Sequence, residues 1–177
     1  MIETLISSKT RIKLLLKFFL NSKNTSYLRN LEEEFGESTN AIRLELNKFE
    51  KAGFLDSTNE GNKKVFSVNT KHPLFPDLNR IIMKMTGLEY VVDYVLQHIG
   101  DLEKVYLVGK MSMGQTTEII DLILVADNLN KTFLIEQIEK AEKKIDKKIR
   151  YVHYRTQEFD LEKIKEPGMH PLLLWSK

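Results

Sequence analysis

The chain has 177 residues, 42% of them apolar and 29% charged, a composition that builds folded cores and excludes a disordered or fibrous chain. With no cysteine it has no disulfide framework, thiolate metal site or cysteine nucleophile, and the expected setting is the reducing cytoplasm. The net charge is only +2: up to Arg80 there are 13 basic and 10 acidic residues (+3), and beyond it 14 and 15 (−1), so the only basic excess belongs to the first part.

The first predicted element is a helix in which Ile12, Leu15, Leu16 and Phe19 share a face. Its apolar run, Ile12 to Leu20, is broken by lysines and too short to span a bilayer, so neither a secretory signal nor a membrane partner is expected. A polar break from Asn21 to Ser26 carries helix-capping residues, and a second short helix is expected from Tyr27 to Phe35, closed by Gly36 in a tight turn. Ser38 or Thr39 caps a third helix, in which Ile42, Leu46 and Phe49 lie on one face and Thr39, Asn40, Arg43 and Asn47 on the other. Gly53 ends it. The segment from Phe54 to Asn69 then has the pattern of a hairpin with a polar turn around Asn59 to Asn62. Three helices and a hairpin make a winged helix, and the turn before the third helix suits a helix-turn-helix that lays that helix in a DNA major groove.

The run EFGESTNAIRLELNKFEKAGFLDSTNEGNKKVFSVNTKHPLF, from Glu34 to Phe75, resembles the second helix, recognition helix and wing of winged-helix transcriptional regulators of the ArsR and MarR type. That resemblance covers about the first 75 residues and implies a homodimer that binds double-stranded DNA through the third helix and the wing. The residues it points to are Ser38, Thr39, Asn40, Arg43 and Asn47 on the helix and Lys63 and Lys64 at the wing tip. Arginine on the outward face of such a helix can fork onto guanine or clamp a phosphate, and paired lysines at a wing tip suit phosphate contact. Winged helices also serve as protein–protein modules, so an adaptor role stays open. A metal site is not expected, because His72, His98, His153 and His170 are scattered and no cysteine is present.

The proline-bearing stretch Thr70 to Leu78 is the expected domain boundary. Beyond it, Leu78, Ile81, Ile82 and Met85 form one helical stripe, and Leu88, Val91, Val92, Val95, Leu96 and Ile99 a second. We expect residues 76–100 to be a helical connector whose stripes are core or a dimer seam.

From residue 101 the pattern changes. Strands at Val105 to Val108, Ile119 to Val125 and Ile149 to Tyr154, with a helix carrying Phe133, Leu134, Ile138, Ala141 and Ile145, predict an α/β layer closed by the apolar run LLLW. The order VYLVGKMSMGQTTEIIDLILVAD, with Gly109 ending one strand and Asp121 inside the next, resembles the small nucleotidyltransferase domain. In that family a glycine and serine hold phosphate, two acids one residue apart on the next strand share metal ions, and a later strand gives a third acid. Residues two apart on a strand share a face, which is why two acids so spaced can hold a metal pair. Here Asp121 takes the second acid's place, Ile119 the first's and Lys110 the serine's, while IRYVHY offers no acid. The resemblance therefore implies a domain without catalytic or metal-binding residues and without a cofactor, in which Asp121 caps a turn or pairs with Lys110.

The expected molecule is α+β: an N-terminal winged helix-turn-helix (1–75), a helical connector (76–100) and a degenerate nucleotidyltransferase-like α/β domain (101–177). The expected function is DNA-binding transcriptional regulation, with the second domain serving dimerisation or the sensing of an unknown small-molecule effector. An active nucleotidyltransferase targeted by a winged helix and a protein–protein adaptor are the alternatives.

Overall fold

The computed structural model describes residue 4 and residues 6–96, 99–164, 166 and 168–177. It is mixed α+β, with two separate sheets, and divides into two compact units, Met1–Ile82 and Met83–Lys177.

The first unit opens with α1 (Lys9–Phe19), whose N-cap Ser8 accepts a hydrogen bond from the Arg11 amide. A short strand β1 (Thr25–Tyr27) leads into α2 (Leu28–Phe35), which ends at Gly36 with φ +62°, the left-handed conformation that a side chain would strain. Then come α3 (Thr39–Lys51), β2 (Leu55–Glu60) and β3 (Lys63–Val68). Strand β1 corrects the expectation of a plain polar break, and Tyr27 belongs to it rather than to the second helix. All pairings in this sheet are antiparallel, in the order β1-β3-β2, with Tyr27 opposite Val65 and Glu60 opposite Lys63.

The core of this unit is made where the helix stripes meet. Phe18, Phe19, Leu31, Ile42 and Leu46 are at most 1% exposed, and Leu55 and Phe66 seal the sheet side. Phe19 lies against Phe49, Phe54 and Phe75 with ring centroids 5.9 to 6.3 Å apart. The Asn79 amide nitrogen donates to the Phe19 carbonyl at 2.6 Å, satisfying an orphan acceptor at the end of α1.

Helix α4 (Phe75–Thr86) contains the division between the units. The second unit continues through Gly87 into α5 (Leu88–Tyr90), which runs on as a π-helical stretch (Val91–Val95). It then holds β4 (Leu102–Val108), α6 (Gly109–Ser112), β5 (Ile119–Ala126), α7 (Lys131–Ile145), β6 (Lys148–Tyr154), α8 (Leu161–Ile164) and β7 (Leu172–Ser176). The sheet order is β6-β5-β4-β7, with β5 and β6 parallel and the other neighbours antiparallel. The parallel pair is joined by α7, the helical crossover that parallel strands require.

The stripe from Leu88 to Ile99 belongs to this unit's own core: Leu88, Val91, Val95, Leu96 and Ile99 are all buried within it. Gly87, at φ +81°, lets the chain pass so close to Ile145 of α7 that a Cβ there would stand 2.9 Å from the isoleucine's. Most of the stripe is therefore core within one chain, with Val92 half-buried. Ile81, on α4, and Tyr94 remain exposed.

Candidate nucleic-acid interface

Helix α3 is set by its ends and its buried face. The Ser38 hydroxyl accepts from the Ala41 amide at 3.3 Å, and the chain turns away at Gly53, φ +76°. Ile42, Glu45, Leu46 and Phe49 are buried, which turns Asn40, Arg43, Leu44 and Asn47 to the exposed side.

Between α3 and the β2–β3 hairpin lies an open groove of about 370 Å³. Of the residues expected at a nucleic-acid surface, it brings together Arg43, Asn47, Lys63 and Lys64, and it adds Arg29 and Asn62. Ser38, Thr39 and Asn40 stand at the start of α3, outside this lining, where Ser38 acts as the cap.

The cations in this groove are held differently from one another. Arg43 is exposed and makes no ion pair among the described residues. The Lys63 ammonium lies over the Tyr27 ring, 4.4 Å from its centroid. The Lys64 ammonium donates to Glu50 at 2.7 Å, and Ser57 donates to the same carboxylate at 2.5 Å. The hydrogen bond from Lys64 and then that from Ser57 hold the Glu50 carboxyl below the usual glutamate range. Glu50 thus ties the end of α3 to both strands of the hairpin. Arg29 pairs loosely with Glu33, 3.6 Å away on the same helix.

On α1, three basic residues are neutralised from within. Arg11 forks onto Glu45, Lys13 donates to Glu37 and to the Phe35 carbonyl, and Lys17, itself buried, donates to Glu34 at 2.7 Å. The hydrogen bond from Arg11 holds Glu45 below the ordinary glutamate range, against the opposing effect of burial. Three of the four cations of α1 are thus spent inside the unit, whereas Arg43 and Lys63 in the groove hold no acid among the described residues. Sequence reasoning missed Arg29 and Asn62 because their place depends on β1 and the hairpin turn. The signal that could have found Arg29 is its position two residues beyond Tyr27, whose strand pairs with the lysine-bearing one.

In the second unit, Asp121 does not pair with Lys110. Its Oδ1 accepts from the Arg150 guanidinium at 2.7 Å, between directly opposed residues of β5 and β6. Gly109, φ +68°, passes so near that a Cβ there would stand 2.7 Å from Asp121 Oδ2. Ile119 lies opposite Lys148, and Lys110 is exposed on α6. A 520 Å³ hollow beside this pair is lined by Val108, Tyr154 and Met169 among others. Among the described residues no three His, Asp or Glu side chains gather as a metal ion would need. His98 lies outside the described residues. No described helix is long and apolar enough to cross a membrane.

No family model matches the chain, and no curated protein matches it. Among solved structures, it is similar to AF1382 from Archaeoglobus fulgidus, at 16% identity and a TM-score of 0.38, covering 51% of this chain and 96% of that one. It is also similar to reduced HlyU from Vibrio cholerae, at 14% identity and a TM-score of 0.38, covering 48% of this chain and 81% of that one. Likeness at these TM-scores carries no functional weight.

Proposed function

We propose that the chain is a DNA-binding transcriptional regulator, with the first unit a winged helix that places α3 in the major groove of duplex DNA and the hairpin beside it. The single observation that supports this reading most is the groove between α3 and the hairpin, where Arg29, Arg43, Lys63 and Lys64 converge while Arg11, Lys13 and Lys17 of α1 are neutralised internally. Arg43 is the residue for base contact, since a free guanidinium can fork onto guanine O6 and N7, and Asn47, one turn along, can do the same for adenine. Lys63 is the residue for phosphate contact.

The second unit, in this reading, is a nucleotidyltransferase-like domain without activity. The support is chemical: the one acid at the family's metal position is already neutralised by Arg150, and Ile119 stands where a second acid would be needed. Its remaining role is sensing or dimerisation. With most of the Leu88 to Ile99 stripe buried, the homodimer rests on the resemblance to dimeric regulators alone.

The test is selection of bound sequences from random duplex DNA, at low salt because the chain carries only +2. A preferred site is the expected result, and a two-fold symmetric one would accompany a dimer. Failure to retain any duplex at low salt would refute the reading and leave the adaptor alternative. Incubation with labelled nucleoside triphosphates and magnesium should leave protein and acceptors unlabelled, and labelling lost in Asp121→Ala would show the second unit to be an enzyme.

A further inference from the structure

Leu44 is 53% exposed on α3, between Arg43 and the buried Glu45. An exposed leucine is ordinary on a protein surface taken at large. Its neighbours here are not ordinary. Successive residues of a helix are turned by about 100°, so positions 40, 43, 44 and 47 fall within an arc of roughly 100° that faces away from Ile42, Leu46 and Phe49. Asn40, Arg43 and Asn47 on that arc are all exposed. One apolar side chain thus stands among three that carry hydrogen-bonding groups, two of which, Arg43 and Asn47, also line the groove. No described acid pairs with Arg43, so the surface suits a polyanion, and a polyanion with an apolar group to offer an isobutyl side chain is duplex DNA with a thymine methyl in its major groove.

We infer that Leu44 is a specificity-determining residue that packs on the C5-methyl of a thymine adjoining the base pair read by Arg43. The inference rests on the proposed DNA-binding reading and adds to it the base that the leucine selects. No hydrogen bond is involved: discrimination comes from removing the methyl and the leucine from water together, which cytosine, lacking that methyl, cannot match.

The experiment takes the full chain and a duplex obtained by selection from random DNA, and replaces each thymine singly by deoxyuridine, which lacks only the methyl. Binding is followed by fluorescence anisotropy. One thymine beside the Arg43-dependent position should be sensitive, with affinity falling about fourfold, the value of one buried methyl-sized group. Leu44→Ala should bind the thymine duplex about as weakly as the unchanged protein binds the deoxyuridine duplex, and should no longer distinguish the two. Leu44→Met, which keeps an apolar side chain of similar reach, should restore the distinction. Circular dichroism checks that both variants fold, as expected for substitutions of an exposed helical residue by good helix formers. Specific binding with no sensitive thymine, or with a sensitivity that survives in Leu44→Ala, overturns the inference while leaving the DNA-binding reading intact. Absence of binding to any duplex overturns both.

Discussion

Arg43 and Arg150 are both exposed, one on a helix of the first unit and one on an edge strand of the second, and their surroundings give them opposite uses. Arg150 donates to Asp121 at 2.7 Å, so its charge is spent inside the protein on the acid directly opposite it on β5. Arg43 has no acid, and shares its groove with Lys63 and Lys64. The same contrast divides the first unit, where Arg11, Lys13 and Lys17 on α1 each hold a glutamate. A count of charges, +3 for the first 80 residues, says little about anion binding; the placement of cations that lack an internal partner says much more.

Cations with an internal partner should act on stability and those without one on affinity. Lys17→Ala removes the partner of Glu34, whose other oxygen is buried without a hydrogen bond among the described residues. Urea unfolding should show a loss of about 2 to 3 kcal/mol, since a largely buried carboxylate is left unpaired. DNA affinity of the folded protein should not change. Arg43→Ala should do the reverse, with stability unchanged within about 0.5 kcal/mol and a loss of about 1 to 3 kcal/mol in specific binding, together with relaxed preference at one base position.

Smaller effects sharpen the contrast within the groove. Lys63→Ala should weaken all sequences alike and flatten the dependence of log affinity on log salt by about one unit. Lys64→Ala should do less, because Lys64 must first leave Glu50. The ion-paired glutamates also predict an acid limb. Arg11 holds Glu45, and Lys64 holds Glu50, below the unfolded glutamate value. Their stabilisation is therefore complete above that value and is lost as pH falls, from about pH 5 downward. Denaturation followed against pH should show a shallower acid limb in Glu45→Gln. The smallest effect belongs to the second unit: Asp121→Ala, which removes a pair with a mostly exposed partner, should leave the urea midpoint nearly unchanged and DNA binding as it was.

Much of the first unit was legible because its signals are local. Ser38 as cap, Gly36 and Gly53 as stops and the spacing of Ile42, Leu46 and Phe49 define α3 without reference to the rest of the chain. Strand β1 was not legible, since three residues carry no period and Thr25–Tyr27 is a strand only because β3 pairs with it. Periodicity also exposed the Leu88 to Ile99 stripe but could not say what covers it, which depends on the packing of α7 far along the chain. The candidate site divides in the same way: Arg43 on the outward face of α3 follows from helical spacing, whereas the Glu50–Lys64 tie and the Asp121–Arg150 pair join residues distant in sequence.

Parallel selection from random duplex DNA, with the unchanged protein and with Arg43→Ala under the same low-salt conditions, separates base reading by α3 from general attraction to phosphate. One preferred site is expected for the unchanged protein, and the same site with a single guanine position relaxed for the variant. Enrichment of no sequence by the unchanged protein, or of the identical site with undiminished guanine preference by Arg43→Ala, would contradict base reading by α3.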